Sequence, residues 1–173
     1  VAAIKSPEIA RELMRHGADV YTVMTQMAQK IVHPYIMEWS TGNPVVTELT
    51  GETEHVTLGG DHPDRADLIL VAPSTANTIG KAATAIDDTP VTTLLTTAIG
   101  AGIPIILAPA MHASMYRHPV VIENVEKLQS IGVEVIMPRF EEEKAKIPTT
   151  GEIVDAVISK LNVPKDYEGV RVL

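Results

Sequence analysis

The sequence predicts an α/β protein with a Rossmann-like, doubly wound and mostly parallel sheet, in a flavodoxin-like layer order with helices on both faces. Two continuous apolar runs, at residues 68–72 and 103–108, and amphipathic segments around them carry this prediction. Such runs are typical of strands buried on both faces of a parallel sheet. Strands that alternate with helices build a doubly wound fold, whose ligands bind beyond the carboxyl ends of the strands.

The first third of the chain carries the weakest patterns. Residues 1–16 have helical periodicity, and Gly17 stands where a helix C-terminal cap is expected. Because a chain that opens in mid-helix lacks the strand that precedes a first crossover helix, we expect a native strand ahead of residue 1. A short strand at 20–24 is followed by a helical stretch to Pro34. Residues 39–64 are rich in glycine and proline and predict mostly loop, with one short strand at 45–47.

The rest of the chain alternates more clearly. Helices are predicted from about residues 76 and 89, and a third, ahead of Gly132, places apolar residues at spacings of four and three. A strand at 133–137 follows. A capping box from Thr149 to Glu152 opens the last helix. We therefore expect residues 1–162 to form one domain and residues 163–173 to be a linker and the start of a following domain.

Composition excludes several function classes. The net charge of −8 disfavours nucleic acid, and aromatic residues at 3% leave no stacking platform for single strands. The absence of cysteine and of HxxxH or HExxH spacing predicts no metal site. No apolar run reaches the roughly 20 residues of a membrane span, and no leader opens the chain, so we expect a cytoplasmic protein without a membrane partner.

Polar side chains follow the two buried strands. Thr75, Asn77 and Thr78 come after the first; an ordinary helix N-cap is the alternative explanation, although one cap needs fewer such groups. Met111 and His112 come after the second, where a histidine is often only a loop residue. His55 lies in the predicted loop, flanked by alternating apolar residues, and such a histidine is usually structural.

Four segments together resemble the homo-oligomeric flavin-containing cysteine decarboxylases, which include the phosphopantothenoylcysteine decarboxylases. The chain is similar to that family's Gly-Ser-(Ile/Val)-Ala-Ala-x-Lys loop, active-site histidine segment, Pro-x-Ser-Ala-Asn-Thr motif and Pro-Ala-Met-Asn-x-x-Met-Trp motif. The matching residues are, in order, Val1-Ala2-Ala3-Ile4-Lys5, Glu54-His55-Val56-Thr57-Leu58, Pro73-Ser74-Thr75-Ala76-Asn77-Thr78 and Pro109-Ala110-Met111-His112-Ala113-Ser114-Met115-Tyr116. Order and spacing agree over nearly the whole chain. The end of the chain resembles the opening strand of the ligase domain in fused members.

The chain departs from the family pattern in two places. His112 stands where the family has a substrate-contacting asparagine. The family's flap, with its Ala-Cys-Gly proton donor, is reduced here to residues 140–148 without cysteine. Both changes resemble archaeal variants of the family, and which group replaces the flap cysteine stays open.

The resemblance implies FMN-dependent decarboxylation of 4'-phospho-N-pantothenoylcysteine to 4'-phosphopantetheine in coenzyme A biosynthesis. Oxidation of the substrate CH2–SH to a thioaldehyde by the flavin supplies the electron sink that loss of carbon dioxide requires, and return of the hydride makes the reaction redox-neutral. It implies that His55 is the general base and that Met111, His112, Lys144 and Lys146 contact substrate. The residues it implies for FMN binding are Ala2, Ala3, Thr25, Thr75, Ala76, Asn77 and Thr78.

The resemblance also implies a trimer or a dodecamer with active sites between subunits. Two alternatives remain: an oxidative peptidyl-cysteine decarboxylase that stops at the enethiol, which the missing cysteine allows, and a non-catalytic regulatory flavoprotein, which the presence of His55 disfavours. A prenyl-transferring flavin enzyme is expected to carry a basic prenyl-phosphate site, which the sequence lacks.

Overall fold

The computed structural model describes residues 2–161, and the expected linker and domain start at 163–173 lie outside them. After a 3-10 helix at Ala2–Lys5, the α-helices are α1 Ser6–Arg15, α2 Gln26–Gln29, α3 Pro34–Thr41, α4 Glu54–Gly59, α5 Ala76–Thr84, α6 Pro90–Gly100, α7 Ala113–Tyr116, α8 Pro119–Ser130 and α9 Thr150–Leu161. The strands are β1 Thr22–Val23, β2 Val45–Val46, β3 Ile69–Ser74, β4 Ile105–Pro109, β5 Met111–His112, β6 Glu134–Val135, β7 Arg139–Glu141 and β8 Lys144–Lys146.

The parallel strands lie in two separate sheets. A central sheet has the order β3-β4-β6, and β1 pairs with β2 in a second sheet; both are parallel throughout. A third, antiparallel sheet has the order β5-β8-β7. The predicted α/β fold with parallel strands is confirmed, but the described residues do not join its strands into the single sheet that the sequence suggested.

Helices cover both faces of the central sheet because its middle strand is apolar on both. Ile105 and Leu107 of β4 pack on α5, α6 and α8, whereas Ile106 and Ala108 pack on α1 and α9. All four side chains are at least 98% buried. Successive residues of a strand point to opposite faces, so this uninterrupted apolar run fills both layers of the core.

The prediction of mostly loop for residues 39–64 is wrong in two places. Helix α3 extends to Thr41 and ends at Gly42, whose φ of +74° is the left-handed conformation typical of a glycine cap. Helix α4 occupies the part that contains His55. Gly59 and Gly60 at its end suggested a loop, but Gly59 packs closely on α6: a Cβ there would lie 2.6 Å from Leu94 Cδ1 and 3.2 Å from the Leu94 carbonyl oxygen.

The predicted flap at residues 140–148 is largely a β-hairpin. Strands β7 and β8 pair antiparallel, and Glu142 and Glu143 between them both have positive φ, at 49° and 58°. Two such residues form the turn that matches the twist of a tight hairpin. Strand β8 also pairs with β5, so the segment is tied to the residues that follow the central strand β4.

Two general properties follow from residues 2–161. None of their helices is long and apolar enough to cross a membrane. In the same range, no group of three or more acidic or histidine side chains is arranged to hold a metal ion.

Candidate functional site

A groove of about 2160 Å³ runs between the two parallel sheets. Six of the seven residues that the sequence assigned to cofactor binding line it: Ala2, Ala3, Thr25, Thr75, Asn77 and Thr78. Thr25 follows β1 and Thr75 follows β3, so the six residues lie at the carboxyl ends of those strands. These six residues are called the mouth below. Ala76 belongs to the same turn as Thr75 but does not line the groove.

The turn from β3 into α5 is built by two threonines. Thr75 is the N-cap of α5, and its Oγ1 accepts a hydrogen bond from the Thr78 N–H at 3.3 Å; the two hydroxyls are 3.2 Å apart. The N-cap explanation is therefore correct for Thr75. Asn77 is not used in this cap. The N–H groups of Ala76 and Asn77, in the first turn, have no acceptor within the helix and carry its positive dipole end.

The other side of the mouth is formed by two helix starts. Thr25 caps α2, accepting from the Ala28 N–H at 3.1 Å. The 3-10 helix that holds Ala2 and Ala3 leads into α1, where Ser6 Oγ donates to the Ala72 carbonyl of β3 at 2.9 Å. This bond ties the start of the described chain to the carboxyl end of β3.

His55 lies on α4 and not in a loop, which corrects the sequence interpretation. Its ring lines a narrow apolar crevice with Val23, Leu58 and Leu94, and these three also line the groove. Its Nδ1 is buried and has no hydrogen-bond partner in residues 2–161. An unpaired buried polar atom is unfavourable unless a partner is supplied from outside the described residues, so Nδ1 marks this crevice as a candidate part of the site.

The neighbouring Glu54 does not supply that partner. Its carboxylate accepts from the N–H of Thr50 at 3.0 Å and from the Thr50 hydroxyl. The Thr50 hydroxyl, and then its N–H, hold the pKa of Glu54 below its usual value. Glu54 therefore ties the preceding loop to α4, and the neighbouring His55 makes a smaller contribution to lowering the pKa of Glu54.

The predicted substrate residues lie apart from the groove. Met111 and His112 form β5, and His112 pairs across the antiparallel sheet with Lys144. Neither they nor Lys144 and Lys146 line the groove within one chain. His112 opens α7 as predicted from its sequence position, and its side chain is exposed.

The two lysines of β8 differ in their ion pairing. Lys146 Nζ is 2.9 Å from a Glu141 oxygen and 3.5 Å from a Glu142 oxygen. Glu141, followed by Glu142, raises the pKa of Lys146, while Lys146 lowers the pKa of Glu141. Lys144 makes no ion pair within the described residues. Of the two, Lys144 is the cation free to meet an anionic group near His112.

Comparison with known proteins decides the family, because residues 1–162 match the Flavoprotein family. The chain belongs to the Flavoprotein family. It is 61% identical, over all of its 173 residues, to the coenzyme A biosynthesis bifunctional protein CoaBC of Thermococcus kodakarensis. It is 37% identical over its full length to the protein of the same name from Methanocaldococcus jannaschii.

The chain spans 42% and 41% of the lengths of these two relatives, which are bifunctional proteins by name. Among solved structures, the FMN-dependent cysteine decarboxylase SpaF has a TM-score of 0.78 and 28% identity, with 94% of this chain and 91% of that one covered. The chain therefore shares its fold with a solved FMN-dependent cysteine decarboxylase.

One pair at the groove was missed by sequence reasoning. Lys81 Nζ lies 2.7 Å from both carboxylate oxygens of Asp88, and both residues line the groove. The lysine lowers the pKa of Asp88. Seven positions separate them across the end of α5, a spacing that no local motif describes. The acidic pair Asp87-Asp88 ahead of the Thr89 cap was the only available signal.

Proposed function

We propose that this chain is an FMN-dependent decarboxylase that converts 4'-phospho-N-pantothenoylcysteine to 4'-phosphopantetheine in coenzyme A biosynthesis. The observation that carries the proposal is 61% identity over the whole chain to a CoaBC protein, with His55 and the Thr75–Thr78 turn beside one groove. A second domain beyond residue 162 is part of the proposal, since the curated relatives are bifunctional and more than twice as long.

The mouth of the groove fits a flavin in its donor chemistry. Hydroxyls of Thr25, Thr75 and Thr78 can donate and accept, and the Asn77 amide adds both functions. The free first-turn N–H groups of α5 favour an anion such as a phosphate. Ser74, at the end of β3, has a fully buried hydroxyl without a partner in residues 2–161, but this residue does not line the groove. FMN bound there would supply the two-electron oxidation and reduction that make the cysteine carboxylate a leaving group.

His55 is the residue that we assign to proton transfer. Its ring is held in an apolar crevice that adjoins the groove, and its Nδ1 has no intramolecular partner among the described residues. A base of this kind can take the proton of a substrate thiol presented from the groove. The neighbouring Glu54 carboxylate is engaged by Thr50.

The substrate side of the site is proposed to come from a second subunit. His112 and Lys144 are neighbours on the antiparallel sheet and together can bind a carboxylate or phosphate. Since these residues do not line the groove of their own chain, a homo-oligomer, at least a trimer, would complete the site. Exposed Tyr35 and Trp39, at 68% and 67%, provide apolar surface for such contacts.

The decisive experiment is a single-turnover assay of the complete polypeptide with FMN and 4'-phospho-N-pantothenoylcysteine. We expect a yellow protein that releases carbon dioxide and yields 4'-phosphopantetheine. A protein that stays colourless with FMN contradicts the cofactor assignment. A yellow protein that yields only the enethiol indicates an oxidative peptidyl-type decarboxylase, and one without turnover indicates a regulatory flavoprotein. Sedimentation at micromolar concentration tests the oligomer, and a monomer mass contradicts it.

A further inference from the structure

The ion pair between Lys81 and Asp88 leaves one donor of the lysine unused. An ammonium group carries three N–H donors. Lys81 Nζ lies 2.7 Å from each carboxylate oxygen of Asp88, which occupies two of these donors, and the group makes no other hydrogen bond within residues 2–161. The lysine side chain is the more covered partner, at 21% exposure against 56% for the aspartate. Lys81 therefore keeps one N–H for a further acceptor at the groove, which both residues line.

The lysine shares a helix face with two residues of the mouth. Asn77, Thr78 and Lys81 all line the groove, and residues three and four positions apart are neighbours on a helix surface. A rise of 1.5 Å per residue places Lys81 about 4.5–6 Å along α5 from the other two. Helical side chains lean toward the helix N-terminus. The lysine therefore leans toward the first turn of α5, where the N–H groups of Ala76 and Asn77 have no acceptor within the helix.

The loop that carries Asp88 is held at both ends by bonds other than the ion pair. At its start, the Ile86 N–H donates to the Lys81 carbonyl at 3.0 Å. At its end, Thr89 and Thr92 form the reciprocal capping box that opens α6. Partly exposed ion pairs add little to stability in general. The charges of the pair are therefore available for a role at the groove that these other bonds do not fill.

We propose that Lys81 donates to the phosphate group of FMN bound at the mouth, together with the first-turn N–H groups of α5, and that Asp88 moderates this attraction. The inference rests on the proposed function, which places FMN at the mouth. A helix N-terminus favours an anion, and a hydrogen bond between an ammonium and a phosphate is among the stronger ones. Asp88 acts through the lysine and does not contact the cofactor, so it is a positioning residue.

The two partners are expected to affect FMN binding in opposite directions. Loss of the Lys81 ammonium removes a donor and leaves the Asp88 carboxylate uncompensated near the phosphate, and both changes weaken binding. Loss of the Asp88 charge removes a repulsion and leaves the full charge of the lysine to the phosphate, which strengthens binding. A pair that only holds the loop would instead give losses of the same sign for either partner.

Fluorescence titration of the deflavinated complete polypeptide with FMN, and with riboflavin, which lacks the phosphate, tests the proposal. Lys81→Gln should raise the Kd of FMN by about 10–100-fold, as for one lost hydrogen bond to a charged group. Lys81→Arg should restore most of the affinity because it keeps a cationic donor. Asp88→Asn should lower the Kd of FMN by about two- to fivefold, the size of one partly exposed charge interaction. The Kd of riboflavin should be unchanged in all three variants.

Several results would overturn the proposal. A Kd of riboflavin that rises as much as that of FMN in Lys81→Gln would show lost packing and not a lost phosphate contact. Weaker FMN binding by Asp88→Asn would make the pair structural. Unchanged FMN affinity of Lys81→Gln with a raised KM for 4'-phospho-N-pantothenoylcysteine would assign the lysine to the substrate phosphate. In these cases the parent protein still binds FMN and the proposed function stands, whereas a parent that binds neither flavin contradicts both.

Discussion

The imidazole Nδ1 of His112 accepts a hydrogen bond from the backbone N–H of Ser114 at 3.3 Å and so caps α7. A backbone N–H can only donate, so Nδ1 is the acceptor of this bond and Nε2 is the ring nitrogen left to donate. His112 therefore presents an N–H donor beside Lys144. An asparagine can perform both functions, since its oxygen can cap the helix and its NH2 group can donate.

Replacement of His112 by asparagine is expected to keep most activity. His112→Asn preserves a cap acceptor and a donor, so kcat/KM for 4'-phospho-N-pantothenoylcysteine should stay within about fivefold. His112→Leu removes both functions and should lower kcat/KM by about 10–100-fold, equal to one lost hydrogen bond to a charged group. Equal losses for the two variants in steady-state assays would contradict the assignment of His112 to the substrate.

His55 is expected to act in chemistry and not in cofactor retention. His55→Asn should leave FMN bound, as measured by its absorption spectrum, while carbon dioxide release falls by about 10²–10⁴-fold, the usual contribution of a general base. His62→Asn is the matched control: His62 Nδ1 only accepts from the Asp64 N–H at 3.1 Å in a surface turn. Undiminished turnover in His55→Asn would remove this residue from the mechanism.

The Thr75–Thr78 turn is expected to contribute to FMN affinity. Thr78→Val keeps the shape of the side chain but removes the hydroxyl at the mouth, and the dissociation constant of FMN should rise by about 2–12-fold for one lost hydrogen bond. Thr84→Val, at the other end of α5, removes a hydroxyl that bonds to the Gly80 carbonyl at 2.8 Å and lies outside the groove. Fluorescence titration with FMN should show a raised dissociation constant for Thr78→Val and an unchanged one for Thr84→Val. Identical FMN affinities of the two variants would place the flavin elsewhere.

Gly59 is expected to be intolerant of a side chain because α4 and α6 approach closely there. The Cβ of Gly59→Ala would meet Leu94 Cδ1 at 2.6 Å and the Leu94 carbonyl at 3.2 Å, and overpacking of this kind destabilises by about 1–3 kcal/mol. Gly100→Ala, with nothing within 4 Å of its Cβ, should be neutral or stabilising by up to about 1 kcal/mol. Thermal unfolding compares them, and equal melting temperatures would refute the packing argument.

The capping box of α9 is expected to weaken in acid. The Glu152 carboxylate accepts from the Thr149 hydroxyl and N–H, both at 2.7 Å, and the hydroxyl, then the N–H, lower the pKa of Glu152. A lowered folded-state pKa stabilises above the unfolded value of about 4.3 and is lost as pH falls through the folded value. Glu152→Gln should therefore show a smaller loss of Tm from pH 6 to pH 3 than the parent. An identical pH dependence would contradict the role of this carboxylate.

Much of the fold was predictable from local pattern. The run 103–108 predicted β4, and the Thr149–Glu152 box predicted the start of α9, because burial on both faces and helix capping leave direct marks in a sequence. Helix α4 was missed because Gly59 and Gly60 are usual loop signals. The close approach of Leu94, 35 positions later, is what favours a residue without a side chain at Gly59.

By itself, the sequence determined the alternation of strands and helices, the polar residues at the strand ends and the likeness to flavin-dependent cysteine decarboxylases. Only the tertiary structure decided that Thr25, Thr75 and Thr78 share one mouth and that Lys81 pairs with Asp88. The physical reason is the sequence distance over which each kind of interaction acts. Burial pattern and capping act over a few residues, whereas these juxtapositions depend on packing between elements that lie far apart in the chain.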